Sequence, residues 1–179
     1  GFLFDDSHTI NENHFINADT LNPDSIRQAA GSFSAGGRQI SMTSFYLNRY
    51  FLGPAPYGFK LVNLVLHLIN GILIYFLSRL LISSYEDKHK TRKLPEWTAL
   101  AITASWLLNP MELTTVLYVV QRMTGLASFF ILLGLIAYTY GRKRQLRGEH
   151  GLGFILTGLL GGTMLAFFSK ENGVLLFPF

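Results

Sequence analysis

Apolar runs long enough for membrane helices fill the chain after residue 56, and short polar segments separate them. The first run has an apolar core over residues 61–82, about 22 residues or about 33 Å of helix, which is enough to cross a bilayer. The pattern predicts membrane helices at about 57–83, 97–108, 111–140 and 152–168, with the start of another at 172. The second is too short to span alone, because Asn109-Pro110 interrupts it and proline removes a helical hydrogen bond. We therefore predict an all-α, polytopic membrane helical bundle.

The first 56 residues have a mixed pattern, which predicts a loop carrying short helices that lie along the membrane surface. Asn22 is a suitable N-cap and Pro23 a suitable first residue for a helix that runs to about Ala30. A second, amphipathic helix is predicted over residues 38–52, because this stretch is too polar to span a bilayer but aromatic enough to lie in its interface. We divide the chain into this N-terminal loop, 1–56, and a transmembrane part, 57–179, and expect both to be a fragment of a longer membrane domain.

The composition supports a membrane protein. Of the 179 residues, 49% are hydrophobic and 15% are charged, whereas soluble domains carry about 25% charged residues. The net charge of +4 comes mainly from two short basic clusters between apolar runs, which is typical of membrane topology and not of a face that binds nucleic acid. The absence of cysteine excludes disulfides and thiolate metal sites.

The two basic connectors, residues 84–96 and 141–150, indicate which ends of the helices face the cytoplasm. Short loops rich in Lys and Arg stay on the cytoplasmic side of a membrane. The N-terminal loop, Asn109–Glu112 and Ser169–Asn172 are then expected to share the opposite, extracytoplasmic face.

Two adjacent acids near the start of the chain, Asp5 and Asp6, are the first candidates for chemistry. A carboxylate beside a second one in low-dielectric surroundings can act as a general base, and the pair can also bind a cation. The same two residues fit an ordinary acidic loop, so the pair alone does not decide between these roles. A metal site would recruit neighbouring side chains whose spacing matches no established motif, namely His8, Glu12 and His14.

Three cations expected on the extracytoplasmic face, Arg38, Arg122 and Lys170, could together bind an anionic phosphate. In one continuous helix over residues 111–140, Glu112 and Arg122 would face the same cavity. A structural alternative pairs Arg122 with Glu112 and Lys170 with a nearby acid.

His67 lies in the middle of the first predicted span, at helical spacing from Asn63 and Asn70. Polar side chains inside a membrane helix usually face another helix or a functional cavity. Hydrogen bonding between helices is the favoured role for His67, and a catalytic or ligand-binding role is the alternative.

Five groups of residues, in the same order, resemble the transmembrane, tetratricopeptide-repeat-containing O-mannosyltransferase family and its bacterial relatives. They are Phe4-Asp5-Asp6, Gly37-Arg38, Gly58–His67, Asn109–Glu112 followed by Gln121-Arg122, and Ser169–Gly173. The family's common patterns have His-Pro where this chain has Asn109-Pro110, and Arg-Pro-Leu where it has Arg38-Gln39-Ile40. These proteins are integral-membrane glycosyltransferases of the GT-C class. Tetratricopeptide repeats follow their membrane part, and none is visible in this chain.

The resemblance implies a GT-C-like fold and the transfer of a sugar, with inversion, from a polyprenyl-phosphate carrier to a protein or glycan hydroxyl. Asp5 would be the general base, and Asp6 would orient or bind the acceptor. Arg38, Arg122 and Lys170 would bind the donor phosphate, where negative charge develops. Supporting roles would belong to Glu112, which would position Arg122, to Glu171, which would position Lys170, and to His67.

The implied location is the bacterial inner membrane or the endoplasmic reticulum, with the active site on the extracytoplasmic face. The expected partners are the polyprenyl-phosphate-linked sugar, the protein or glycan acceptor and the lipid bilayer, with no nucleic acid. No cofactor is certain, and a divalent cation is a candidate because GT-C enzymes differ in metal dependence. Two alternatives from other classes are a flippase-like transporter that binds a lipid-linked glycan without chemistry and a membrane scaffold whose outer loop binds a partner.

Overall fold

The computed structural model describes residues 1–3, 5–17, 20–33, 37–89, 94 and 97–176, and in this part of the chain every regular element is helical. Its α-helices are α1 (Pro23–Ala30), α2 (Gln39–Leu52), α3 (Pro56–His89), α4 (Trp97–Leu107), α5 (Leu113–Leu117), α6 (Arg122–Leu146), α7 (Leu152–Leu156) and α8 (Gly162–Ser169). Short π or 3-10 helices occupy Ser7–Asn11, Pro110–Glu112, Val119–Gln121, Thr157–Gly161 and Glu171–Leu176. The all-helical fold class is thereby confirmed for these residues, while the GT-C-like arrangement stays a prediction.

In the part of the chain that the structure describes, three helical stretches are long and apolar enough to cross a membrane, namely Pro56–Tyr85, Val119–Leu146 and Leu152–Ser169. They correspond to the spans predicted at 57–83, 111–140 and 152–168. The helix predicted at 97–108 is α4, whose 11 residues are too few to span a bilayer alone. Which side of the membrane each end faces stays a prediction.

The prediction of one unbroken helix over residues 111–140 is wrong. Between α5 and α6 the backbone of Tyr118 is extended, with φ −86° and ψ 122°, and a 3-10 turn over Val119–Gln121 follows. The turn begins a new helix, so the amide hydrogens of Val119 and Val120 have no helical carbonyl to donate to. These amides therefore need an acceptor from another part of the chain.

The helix ends also differ from the predicted ones. α6 continues to Leu146, because the basic residues of the connector occupy its last turn, where the helix dipole favours cations. α3 continues to His89, so the connector 84–96 begins inside a helix, and its residues 90–93, 95 and 96 lie outside the described residues. The helix expected to start at 172 is a 3-10 helix over Glu171–Leu176, and 177–179 also lie outside the described residues.

Both short helices predicted in the N-terminal loop are present. Asn22 caps α1, since its Oδ1 accepts a hydrogen bond from the Ser25 amide at 2.7 Å and Pro23 occupies the first helical position. α2 buries an apolar face that joins the loop to the membrane helices. The core so formed contains Ile10, Ile16, Met42, Phe45, Phe59, Val119 and Met123. The loop is therefore packed onto the bundle and is not a free tether.

α6 is the central helix of the bundle and packs against α3, α7 and α8. At its start, Arg122 donates to Asn63 of α3 at 2.9 Å, and near its end the Lys143 ammonium donates to Ser83 of α3 at 2.8 Å. The helix between Arg122 and Lys143 is about 32 Å long, close to the thickness of the bilayer core of about 30 Å. The second basic connector and the N-terminal loop consequently lie at opposite ends of the bundle.

The π-helix over Thr157–Gly161 packs against the backbone of α6 at Gly158. A Cβ added at Gly158 would lie 2.6 Å from the Gly134 carbonyl oxygen, whereas one added at Gly161 would meet no atom within 4 Å. We expect Gly158→Ala to destabilise the fold by about 1–3 kcal/mol, because backbone cannot move aside. Gly161→Ala is the matched control and should cause no loss of stability. Thermal unfolding in detergent micelles measures both, and equal stabilities would contradict the predicted contact.

Candidate active site

Arg122 is 1% exposed and lies where the N-terminal loop meets the membrane helices. Its guanidinium donates hydrogen bonds to four oxygens: Asn63 Oδ1 at 2.9 Å, Asn48 Oδ1 at 2.6 Å, Phe59 O at 2.9 Å and Ser44 O at 3.2 Å. The guanidinium carbon also lies 4.9 Å from the ring centroid of Phe45 and 5.5 Å from that of Phe59. Since these partners belong to α2 and α3, Arg122 joins three helices through neutral acceptors and aromatic faces.

Asp6 is fully buried and binds backbone amides at the break between α5 and α6. Its carboxylate accepts the Val120 amide at 2.7 Å, the Val119 amide at 3.2 Å and the Leu3 amide at 3.0 Å. The first two are the amides that the 3-10 turn leaves without helical partners, so Asp6 caps a helix more than a hundred residues away in sequence. This carboxylate already has three hydrogen-bond donors.

Asp5 is exposed and lines a pocket of about 340 Å³ that also contains Arg38. Other polar groups of this pocket come from His8, Thr9, Asn13 and Ser32. The two neighbouring acids therefore differ in surroundings, because Asp5 faces an open pocket and Asp6 faces backbone amides. We name this pocket, lined by Asp5 and Arg38, the outer pocket.

Arg38 connects the outer pocket to the end of α8. It donates from Nε to both carboxylate oxygens of Glu171 at 2.9 and 3.0 Å, and its Nη2 lies 2.8 Å from the same group. A further nitrogen donates to the Met123 sulfur at 3.2 Å, and the guanidinium stacks on the ring of Phe33 at 4.2 Å. The sequence assigned Glu171 to Lys170, but in the structure its hydrogen bonds are with Arg38.

Lys170 lies beside this ion pair and donates from Nζ to Thr124 at 2.8 Å. Burial lowers the pKa of Lys170 below its usual value, and the nearby Arg38 lowers it further, while Glu171 partly offsets both. The hydrogen bond from Arg38 lowers the pKa of Glu171. Two cations thus share one carboxylate, which makes this cluster a favourable environment for an added anion.

A second pocket of about 130 Å³ lies between α3, the end of α4 and the start of α6, and we name it the inner pocket. Glu112, His67 and Arg122 all line it. Glu112 accepts a hydrogen bond from Thr115 at 3.2 Å, and among the described residues no ion pair joins it to Arg122. The predicted common cavity of Glu112 and Arg122 is therefore present, although a broken segment and not one helix forms it.

The predicted site residues thus fall into two groups at one end of the bundle. Asp5, Arg38, Lys170 and Glu171 form the outer group, whereas His67, Glu112 and Arg122 form the inner group. Asp6 lies beneath the outer pocket, and Thr124 joins the groups because it lines the inner pocket and binds Lys170.

Sequence reasoning missed two residues that complete the site, Asn48 and Thr124. Asn48 is 6% exposed on the apolar face of α2, and a polar residue inside an apolar stripe was a signal that could have found it. Thr124 had no such signal. Within the described ranges no three His, Asp or Glu side chains lie close enough together to bind a metal ion, and a divalent cation stays a prediction.

Comparison with known proteins gives one informative match. No protein-family model matches the chain, and no solved structure matches it. The chain is similar to a human protein O-mannosyltransferase. This relative, protein O-mannosyl-transferase TMTC4, is 27% identical over an alignment of 186 positions that covers 97% of the chain and 25% of the relative. The chain therefore spans a quarter of the length of this curated relative, and the distant similarity supports a glycosyltransferase-like role at a membrane.

The different surroundings of the two acids predict different effects on stability. Asp6→Asn should destabilise the fold by about 2 kcal/mol, because the introduced amide would face backbone amides that need an acceptor. Asp5→Asn, at an exposed position, should change the stability by less than about 0.5 kcal/mol. Thermal unfolding of both variants in detergent tests this prediction, and a larger loss for Asp5→Asn than for Asp6→Asn would contradict it.

The pair of Arg38 and Glu171 predicts a pH-dependent contribution to stability. Because the pKa of Glu171 is lower in the folded state than its ordinary value of 4.5, the pair stabilises the fold fully above that value. The contribution should be lost as the pH falls through the lowered folded-state pKa. The measurement is the difference in unfolding midpoint between wild type and Glu171→Gln from pH 7 down to acid. When Arg38→Gln is present in both proteins, the Glu171→Gln substitution should no longer cause this difference. A difference between wild type and Glu171→Gln that stays constant over the pH range would contradict the assignment.

Proposed function

We propose that the chain carries the catalytic end of a membrane glycosyltransferase, which moves a sugar from a polyprenyl-phosphate-linked donor to a hydroxyl outside the cytoplasm. The observation that carries the proposal is that one pocket brings the exposed Asp5 together with Arg38, while Lys170 lies beside Arg38. A general base and a cationic anion site are the two groups that such a transfer needs. The distant similarity to a protein O-mannosyltransferase supports the same class of reaction.

In the proposed reaction Asp5 accepts the proton of the acceptor hydroxyl. The hydroxyl oxygen forms a bond to the anomeric carbon of the donor sugar, and the bond from that carbon to the phosphate oxygen breaks. The configuration at the carbon inverts because attack and departure occur on opposite faces. The phosphate leaves with the bonding electrons and gains negative charge, so cations near it stabilise the transition state more than the ground state.

Lys170 and Arg38 are the proposed phosphate ligands. Lys170 has three ammonium hydrogens, and its hydrogen bond to Thr124 uses one of them. The two cations lie close enough for Arg38 to lower the pKa of Lys170. A phosphate between them would relieve this repulsion and favour the charged form of Lys170. Glu171 then keeps Arg38 in position and prevents the empty site from carrying two unpaired cations.

The predicted phosphate role of Arg122 and the predicted acceptor role of Asp6 stay predictions. Arg122 uses four of its five donors on protein oxygens, and Asp6 accepts three amides. We therefore propose them as positioning residues, with Arg122 fixing α2 on the bundle and Asp6 fixing the turn below the outer pocket. Glu112 and His67 would keep their predicted supporting roles and would do so from the inner pocket.

The proposal predicts that Asp5→Asn lowers the rate of sugar transfer at least about 100-fold without unfolding the protein, because the base is lost and little else changes. The assay measures transfer of labelled sugar from a polyprenyl phosphate in membranes that contain the full-length protein. Lys170→Met and Arg38→Gln should weaken donor binding as well as lower the rate. The matched control is Glu149→Gln, whose carboxylate pairs with Arg144 at the opposite end of the bundle.

The same assay separates the proposal from a transporter that binds a lipid-linked glycan without chemistry. Donor binding that persists in Asp5→Asn while transfer stops supports the transferase. Full transfer by Asp5→Asn would exclude Asp5 as the base. Donor binding by wild type with no transfer to any protein or glycan acceptor would favour the transporter.

A further inference from the structure

Two buried polar atoms of the inner pocket, Nδ1 of His67 and Oδ1 of Asn70, have no hydrogen-bond partner among the described residues. The side chains are almost fully enclosed, with exposures of 7% for His67 and 2% for Asn70. Both residues line the pocket. Buried polar atoms in folded proteins nearly always have a partner, so an unpartnered pair in one pocket indicates a ligand or ordered water.

Both unpartnered atoms are acceptors. Nε2 of His67 lies 3.3 Å from the carbonyl oxygen of Leu107, which can only accept, so in the neutral ring Nε2 carries the hydrogen and Nδ1 has a free lone pair. The Asn70 amide nitrogen donates to the Gly125 carbonyl at 3.0 Å, which fixes the orientation of the amide and leaves Oδ1 toward the pocket. In each residue the donor end binds backbone and the acceptor end is available.

Asn63, His67 and Asn70 lie on one face of α3 and form a polar stripe. Asn63 has the hydrogen-bond partners that the other two lack, since its Oδ1 accepts from Arg122 at 2.9 Å and its nitrogen donates to the Tyr118 carbonyl at 3.0 Å. The stripe therefore has one residue that is complete within the protein and two, His67 and Asn70, that lack a donor. All three residues line the inner pocket, so the missing donors are confined to two of its three stripe residues.

We propose that the inner pocket is a binding site for a neutral ligand that donates hydroxyl hydrogens to His67 Nδ1 and Asn70 Oδ1. Two sources supply this chemistry, ordered water and the hydroxyls of a small polyol. The pocket's 130 Å³ exceeds the roughly 30 Å³ that one water occupies in the liquid, so several waters or one glycerol-sized molecule fit. The proposed function assigns no ligand to this pocket, and the inference does not depend on it.

The charges and the shape of the pocket favour a neutral ligand. Among the described residues its wall carries one cation, Arg122, and one carboxylate, Glu112, so neither an added cation nor an added anion gains net charge compensation. The ring of Trp106 stacks on that of His67 at 4.8 Å and gives the pocket an aromatic wall next to its acceptors. Such a wall accommodates the C–H groups of a polyol while the acceptors bind its hydroxyls.

The test is nitrogen NMR of the full chain, labelled with ¹⁵N-histidine, in lipid nanodiscs. The His67 signals are assigned by their absence from His67→Phe or, if that variant does not fold, by their contact with the Trp106 ring. We expect the Nδ1 resonance to be shifted upfield from the position of an unbonded neutral nitrogen, because hydrogen bonding to the lone pair causes that shift. The measurement is repeated with molar glycerol as the polyol probe.

The two arms distinguish the sources of the hydroxyl. A cross-peak from Nδ1 to water that persists in glycerol supports the site with water as its ligand. Replacement of this cross-peak by contacts between glycerol C–H protons and Trp106 supports a polyol ligand. An unbonded Nδ1 resonance both in water and in glycerol overturns the proposal.

Discussion

Arg122 brings a positive charge into the interior of the protein, where it is 1% exposed, and among the described residues no carboxylate forms an ion pair with it. A buried cation is strongly unfavourable unless its hydrogen-bond donors meet acceptors. The acceptors come from Asn48 and Ser44 on α2 and from Asn63 and Phe59 on α3. Detaching the N-terminal loop from the bundle would leave the guanidinium with half of these acceptors, so one side chain links the position of α2 to the packing of α3 and α6.

The break before Arg122 produces the geometry of the site. If α5 and α6 formed one helix, the amides of Val119 and Val120 would bond within it, and the buried Asp6 carboxylate would keep the Leu3 amide but lose its other two donors. The extended backbone at Tyr118 frees these amides, and Asp6 accepts them at 2.7 and 3.2 Å. The same break separates the segment that carries Glu112 from the start of α6, which leaves space for the inner pocket. The site thus depends on a local loss of helix that a distant carboxylate stabilises.

The sequence predicted the elements that local physics decides, such as the apolar spans and the Asn22-Pro23 start of α1. It did not predict the break at Tyr118, because that position has neither proline nor glycine and the stabilising carboxylate lies more than a hundred residues earlier. It predicted a shared cavity for Glu112 and Arg122 from one continuous helix, whereas a broken segment forms that cavity. It also paired Glu171 with its neighbour Lys170, whereas the ion-pair partner is Arg38. Pairings across the chain depend on packing, which periodicity does not encode.

The two acids of the first motif show how packing separates roles that sequence leaves equal. Asp5 and Asp6 are adjacent in sequence, yet packing gives them different surroundings. Asp6 is buried and accepts three backbone amides, so its oxygens are occupied by donors of the protein itself. Asp5 lines the outer pocket together with Arg38 and is exposed. A base must exchange its proton with a substrate and then with water, and of the two acids Asp5 has the surroundings for both steps.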